Sequence, residues 1–546
     1  MVQDISVQTG LAQAPVERRA PLSSFVSARP GSRCSVATMA AVEPRVFAFV
    51  FPMASGHINP SFPIARSLAA SGHRVHYLCR EQMREAIEDT GATFHSETEV
   101  ESELYDGREP DIFGATATLK RELGLESEGI AKVIFKVRNI QREMMLPGLT
   151  RWLRALGAHA VAFCPLINTE AAIAAAALGI PSVALLTTAG PGSLGPTYEE
   201  FIRMAGDTPE ELRRAVVEYA PNVESAARIR ADYGVQVSLT EGLTPLGKLF
   251  WSKYSLVTLV TTCEDLQDPL SPELAREYEH EGARFEAVGA LLDKDGAKRA
   301  VGHKYKQQEA GGDPHAAAAA GQLDGAELMR RVRAARAAGR PVVFASMGTV
   351  VTGDHEEFGW EGRPVGEDGQ QRGLTGRELC RAAWGGVFDA FGRADAAAGP
   401  LVVVSLGPQQ DALGDLTAPG NAVCMPSVPQ VELLKAGVDV FLTHGGQNSF
   451  TEALSAAVPL VVCPGFADQP VNARKAEALG VGLQVPRPEP AVGDEAPAAE
   501  GYRQDVAAAL RRVAAEPSFR ERAGESAERL ARAGGVPRAV EWMLIA

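Results

Sequence analysis

The residues best able to do chemistry crowd into one stretch, Val438–Gly482. There an apolar run ends at Thr443, His444, Gly445 and Gly446 make a turn, and a helical pattern begins near Asn448. Two glycines behind a strand let the backbone approach a ligand, and the amides and positive end of the following helix favour an anion. A diphosphate suits such a turn, with close approach at Gly446 and a hydrogen bond from His444 to a phosphate oxygen. Asn448 and Glu452 are four residues apart and share a helix face. Phosphate repels a carboxylate, so Glu452 fits the paired hydroxyls of a ribose instead. Ser449 and Glu452 also have the spacing of a capping box, a structural use that can coexist with ligand binding. In the next loop Asp468 and Gln469 precede Pro470. Taken alone, Asp468 reads as a cap for the helix that Pro470 opens. The functional alternative has Asp468 and Gln469 bonding the hydroxyls of a sugar.

Elements that would carry these residues follow from apolar runs and their punctuation. Arg45–Phe51 reads as a buried strand. After the turn-rich Pro52–Gly56, Asn59 and Pro60 take the N-cap and first-turn places of a helix over Ser61–Ala70. Gly72 closes it and Arg74–Cys79 is the next strand, completing a βαβ unit of a parallel sheet. The pattern returns as strand Ala160–Cys164, helix Thr169–Leu178 and strand Ile180–Leu186, with further strands at Leu256–Thr262 and Phe285–Val288. Residues 100–155 and 195–250 read as mostly helical, able to form a pocket wall. From Leu291 to Arg340 the composition turns to that of a linker, with alanines at Ala316–Ala320 and a helix near Ala326–Ala338. A second series has strands at Pro341–Ser346, Leu401–Ser405, Ala422–Met425, Val438–Thr443 and Pro459–Cys463. Val351–Gly373 is polar, acidic and Gly-rich, a surface loop by composition. Gly534 and Gly535 interrupt a late helix, and Pro537 opens a last one that runs to Ala546. Two doubly wound α/β domains in tandem are expected.

Composition sets outer limits. The 546 residues exceed one ordinary core, and a 45% hydrophobic, 22% charged chain is globular. A formal charge of −14 argues against nucleic acid or an anionic membrane as the main partner. No apolar run approaches the ~20 residues of a membrane span. The seven cysteines form no C-x-x-C pair, the pattern of reduced intracellular thiols. The leader up to Val42 is rich in Arg and Ser and poor in acids. It reads as a disordered or upstream extension, with a start at Met39, or as a transit peptide; the locations expected are cytoplasmic in the first case and plastid in the second.

The run HGGQNS–TEALSAAVP–DQPVNA, from His444 to Asn472, resembles the donor signature of family 1 UDP-dependent glycosyltransferases of the plant and macrolide kind. Ser427–Gln430 (SVPQ) with Leu433 and Leu434 resembles the start of that signature. Ser346–Thr349 (SMGT), Val288–Leu292 (VGALL) and Gly56–Pro60 (GHINP) resemble further segments of the family. The resemblance covers about Arg45 to Ala546 and is loose in the middle. It implies a GT-B fold: a leader over 1–44, an acceptor domain over 45–290, a linker over 291–340, a nucleotide-sugar domain over 341–525 and a helical segment over 526–546. It also implies transfer of a hexose, with inversion, from a UDP-sugar to a hydroxyl of a small lipophilic acceptor, by a monomer that needs no cofactor or metal. His57 is then the general base, suited by an imidazole pKa near neutral. Ser346, Thr349, Val428, Gln430, His444, Gly446, Asn448, Ser449, Glu452, Asp468 and Gln469 are the donor-site residues carried over, with Gln430 and the backbone of Val428 on the nucleobase. Two positions depart from the family. Cys164 stands where an aspartate usually orients the histidine, with no nearby acid before Glu170, and Ser427 stands where many relatives stack an aromatic. The first departure keeps open a second reading, a GT-B-like binding protein with impaired catalysis. Asp293 and Asp295 superficially match a metal-binding pair and read instead as a solvated linker start.

Overall fold

The computed structural model describes residues 43–243, 246–299, 324–354, 358–364 and 371–546. The leader, the run Ala316–Ala320 and part of the Val351–Gly373 insertion lie outside the described residues. Seven strands, β1 (Val46–Val50), β2 (Arg74–Cys79), β3 (Thr93–Ser96), β4 (Ala160–Phe163), β5 (Ser182–Leu186), β6 (Val257–Val260) and β7 (Phe285–Ala287), make one parallel sheet. Their order is β3-β2-β1-β4-β5-β6-β7. A second parallel sheet contains β8 (Val342–Ser346), β9 (Leu401–Ser405), β10 (Ala422–Met425), β11 (Val440–Thr443), β12 (Leu460–Val462) and β13 (Gly482–Gln484), in the order β10-β9-β8-β11-β12-β13. The fold is α/β, with two such sheets and helices between their strands.

The central strands are continuous apolar runs because helices cover both faces of a parallel sheet. All of β1, β4, β8 and β11 are buried. At the middle of the second sheet Phe344 and Phe441 are register partners whose rings stack 4.5 Å apart. The short edge strands β3 and β13 carry too few apolar residues to stand out in the sequence. The six cysteines among the described residues are free.

Strand order decides where ligands go. In each sheet the chain winds outward in both directions from one pair, β1/β4 in the first and β8/β11 in the second. The crevice beyond the carboxyl ends of such a pair is the ligand site of open α/β sheets. The turns that begin at Phe51 and Cys164 flank the first crevice, and those that begin at Met347 and His444 flank the second.

Two expectations are corrected. The Ser61–Ala70 helix starts earlier and in pieces: a helical turn Ser55–Ile58, a 3-10 turn Asn59–Ser61, then Phe62–Ala70. Asn59 is already helical, at φ −54°, so the chain before it is in place to begin the turn that holds His57. The insertion is no simple surface loop, since Val351, Phe358 and Trp360 are buried and the Phe358 ring stacks on Phe466 at 4.9 Å. The linker start is largely solvent-exposed, as expected, and is held by surface pairings. Asp293 pairs with Arg66 at 3.0 Å, Asp295 with Lys435 at 3.3 Å, and the Gly296 amide donates to Glu432 at 2.7 Å. Both aspartates are thereby committed to ion pairs.

The last helix, Gly535–Ile545, packs back on the first sheet, where Ala539, Trp542 and Met543 share a core with Phe47, Phe62 and Val288. The Arg45 guanidinium donates to Leu544 O at 2.7 Å and the Gly535 amide to Val288 O at 2.7 Å.

Candidate active site

His57 sits in the turn after β1, half-buried, with its Nδ1 3.2 Å from Thr187 Oγ1 and 3.3 Å from Cys164 Sγ. Cys164 ends the run of β4, its amide donating to Val50 O at 3.3 Å, and Thr187 follows β5. Three neighbouring strands therefore converge on one imidazole. Among the described residues no carboxylate reaches it. Glu170 does not, although it is the next acid after Cys164 in the chain. Burial with no opposing negative charge pulls the His57 pKa down to about 4. It pushes the Cys164 thiol up to about 11, so the sulfur is a neutral S–H. The imidazole is neutral at physiological pH, its Nδ1 is engaged, and Nε2 is the nitrogen left to take a proton. Thr187 was not found by sequence reasoning; a threonine after an apolar strand carries no signal of its own.

The donor-type residues gather beyond β8, β10, β11 and β12. His444 is wedged between two turns: a Cβ on Gly348 or on Gly446 would come within 2.6 Å of its Nε2. Those glycines seat the histidine as much as they expose backbone. Burial lowers the His444 pKa to about 4, so it is a neutral donor at most. The helix after it spans Gln447–Ser455 with Gly446 as N-cap.

The expected capping box is absent because Ser449 and Glu452 lie inside that helix. Ser449 Oγ instead accepts from Gln430 Nε2 at 3.1 Å, and Gln430 Nε2 also donates to Glu452 Oε2 at 2.7 Å. Glu452 Oε1 takes Arg299 of the linker at 2.6 Å. Both oxygens of the ribose candidate are thus occupied, one of them by an arginine that no motif pointed to.

Asp468 is a cap, but of a different helix from the one it precedes. It makes no cap bond to its own helix, Gln469–Ala478, and its Oδ2 accepts from the Gln447 amide at 3.1 Å. Ala467 aims it there by adopting φ +56°, a left-handed conformation that costs an L-residue roughly 1–2 kcal/mol. Burial raises Asp468 to about 6, held back by the Gln447 amide. Gln469 Oε1 closes its own loop, accepting from the Gly465 amide at 2.8 Å and the Phe466 amide at 3.2 Å. Ser346 is buried and accepts weakly from the Gly348 amide at 3.4 Å. Thr349 is exposed at the tip of the same turn, Ser427 is exposed, and Val428 is half-buried against the core.

Asn448 Nδ2 donates to Gly56 O at 2.8 Å. That bond joins the first turn of the helix behind His444 to the residue before His57, across the cleft between the two sheets. Residues 411–525 match the family of UDP-glucoronosyl and UDP-glucosyl transferases. The NDP-glycosyltransferase YjiC of Bacillus subtilis is 36% identical over 104 residues, 19% of this chain and 26% of that protein. The match therefore spans about a quarter of that relative. In fold the likeness is broader. The glycotransferase of kitacinnamycin aligns over 92% of this chain and 99% of its own, at TM-score 0.56 and 21% identity. The spinosyn rhamnosyltransferase SpnG, solved with thymidine diphosphate, aligns over 91% and 99% at TM-score 0.52 and 14% identity.

The sequence likeness to UDP-glucoronosyl and UDP-glucosyl transferases lies in residues 411–525, and the likeness over nearly the whole chain is one of fold.

That fold is the GT-B arrangement of the solved glycosyltransferases. Several of the signature residues are bonded within the site, Ser449 and Glu452 to Gln430 and Asp468 to the Gln447 amide. Sequence reasoning placed the glycosyltransferase signature correctly on the chain, yet missed Thr187, Arg299 and the Gly56 carbonyl. Among the described residues no helix is long and apolar enough to cross a membrane.

Proposed function

We propose that the protein is an inverting glycosyltransferase, moving a hexose from a UDP-sugar to a hydroxyl of a small acceptor with His57 as general base. The observation that carries the reading is the Asn448–Gly56 hydrogen bond of 2.8 Å, because it sets the diphosphate-type helix end beside the catalytic-type histidine. The acceptor oxygen attacks the anomeric carbon as the bond from that carbon to the diphosphate oxygen breaks. UDP leaves with the electron pair, and the acceptor proton passes to His57 Nε2. One displacement inverts the centre.

The positive end of Gln447–Ser455, its first-turn amides beyond Gln447 and the His444 imidazole take the charge that develops on the leaving diphosphate. These groups are why the reading needs no metal. Glu452 receives the ribose once Arg299 lets go of it. Gln430 Oε1 and the Val428 backbone contact the base, Ser346 and Thr349 border the diphosphate, and Asp468 and Gln469 face the hexose.

The test is direct. Residues 39–546 with UDP-glucose and a mixed acceptor panel should release UDP and form new glycosides by mass spectrometry. His57→Ala should lower turnover by ~10²–10⁴-fold and leave donor affinity within a few-fold. Unchanged turnover in that variant would remove His57 from the role. Donor binding without product from any donor and acceptor would favour the binding-protein reading, for which the Cys164 contact at His57 is the supporting observation.

A further inference from the structure

An apolar plug and a buried ion pair join the first sheet to a helix of the second. The turn after β6, Glu264–Leu266, lets Cys263 and Leu266 share a core with Ala473, Ala476 and Leu530. Ala473 and Ala476 belong to the helix Gln469–Ala478, which opens with the hexose candidate Gln469. On the same helix Lys475 Nζ pairs with Asp268 Oδ1 at 2.6 Å and donates to Leu266 O at 3.1 Å. The two charged side chains are only 11% and 15% exposed. One ammonium thus holds two acceptors of the first sheet's turn.

From Asp268 the contacts continue toward the histidine. The Asp268 amide donates to Ala189 O at 2.8 Å, in the loop after β5 that also carries Thr187. That loop lies tight against the turn. A Cβ on Gly190 would come within 2.4 Å of Gln267 Oε1, and one on Gly192 within 2.5 Å of the Asp268 and Pro269 carbonyl oxygens. Ser193 Oγ donates to Gly190 O at 2.7 Å and closes the loop on itself. Thr187 Oγ1 lies 3.2 Å from His57 Nδ1. Short contacts therefore run without a gap from the donor-side helix, through Lys475 and Asp268, to the partner of the proposed base.

A buried ion pair is a poor source of stability, because desolvation cancels most of the attraction and apolar side chains of similar volume hold as well. What it adds is direction, since the ammonium must stay within bonding reach of one carboxylate. Asp268 Oδ2 is buried without a hydrogen-bond partner among the described residues, a cost that an interface built for strength alone would avoid. We propose that Lys475 and Asp268 are positioning residues that fix the reach between the hexose end of the donor site and His57, acting on turnover and not on donor affinity. The inference rests on the glycosyltransferase reading for its effect on turnover, but not for the coupling of the two elements. Burial raises Asp468 to about 6, and the Gln447 amide and the Lys475 ammonium hold it back. A purely electrostatic role of Lys475 through Asp468 would therefore appear in Lys475→Met and not in Asp268→Leu, which keeps the ammonium.

The experiment is a double-mutant cycle on the full chain with Lys475→Met, Asp268→Leu and the two combined. It reads kcat, UDP affinity by calorimetry, melting temperature, and amide hydrogen exchange over Thr187–Ser193. Each single variant should lower kcat by ~10- to 100-fold with UDP affinity held within about threefold. The double variant should be no slower than the slower single, since both remove one interaction. Exchange over Thr187–Ser193 should rise in Lys475→Met, although that residue lies on a helix of the other sheet. Lys475→Arg, which still reaches the carboxylate, should recover most of the turnover. Where a single variant fails to fold, the double, which leaves no unpaired charge, carries the test, and wild-type turnover in it overturns the inference. Additive losses, a loss confined to Lys475→Met, or parallel losses of kcat, UDP affinity and melting temperature overturn it as well. Where the wild type transfers no sugar from any donor, the transferase reading fails and exchange decides the coupling alone: a rise in Lys475→Met upholds it and no change overturns it.

Discussion

Cys164→Asp is the perturbation that most directly tests the catalytic centre. Its thiol lies 3.3 Å from His57 Nδ1, so a carboxylate there would touch the imidazole. At that distance two unit charges attract by roughly 5 kcal/mol at an effective dielectric of ~20, before the desolvation of a new carboxylate is deducted. Carboxylate–cation neighbours shift each other by ~1–3 pKa units after that deduction. The sign is upward for His57, because the carboxylate stabilises the imidazolium. Its pKa should move from about 4 to between roughly 5 and 7. A general base transmits only part of such a shift to the rate. With about half transmitted, kcat rises ~3- to 30-fold at pH 8.

The assay is the pH profile of kcat beside the NMR titration of the His57 ring. The wild type should hold its rate as pH falls to 5.5 and lose it with a midpoint near 4, the value burial imposes. In the variant the acidic limb should move upward by the NMR shift. The stability profile moves with it. A histidine depressed from 6.5 to about 4 loses stability as pH falls through that window, and the variant should lose less of it. A ring pKa that rises while kcat stays flat would refute His57 as the base. A ring pKa that does not move would refute the geometry.

Two contacts near the donor helix give further expected outcomes. Arg299→Ala should tighten UDP binding by ~2- to 5-fold and diminishingly so with added salt, because the donor no longer displaces a half-exposed guanidinium from Glu452; weaker binding by calorimetry would instead assign Arg299 to the diphosphate. Asn448→Ala should lower kcat by ~2- to 10-fold with UDP affinity held within about twofold, since the lost bond is to Gly56 and not to the donor; the opposite split would make Asn448 a donor contact.

How much could be read from the sequence depended on the range of the interaction. Buried parallel strands announce themselves as unbroken apolar runs, and β2 and β9 fell where Arg74–Cys79 and Leu401–Ser405 put them. The HGG turn after β11 was equally plain, because strand end, glycines and helix start are neighbours in the chain. What stayed hidden was set by pairs distant in sequence. Ser449 and Glu452 have capping-box spacing, but the chain bends into its helix one turn earlier, at Gly446, and both side chains turn to Gln430. Asp468 sits where a cap belongs and caps a helix 21 residues back, which no local rule foresees. Phe358 hides in a polar insertion because its stacking partner, Phe466, is more than a hundred residues away.

These internal pairings bear on what donor binding can cost and gain. Glu452 has Arg299 and Gln430, Asp468 has the Gln447 amide, and Gln469 has the Gly465 and Phe466 amides. Each hydrogen bond to ribose or hexose therefore replaces one the protein already makes, and an exchanged bond contributes little net affinity. The helix end is different. The first-turn amides of an α-helix lack intrahelical partners, so a diphosphate there is gained and not exchanged. Affinity should accordingly reside in the diphosphate. Selectivity for base and sugar should reside in how well each hydroxyl matches the partner it displaces, since a mismatch leaves a buried carboxylate or amide unpaired. On this argument UDP and a UDP-sugar bind with similar strength, while donors differing at one sugar hydroxyl differ mainly in turnover.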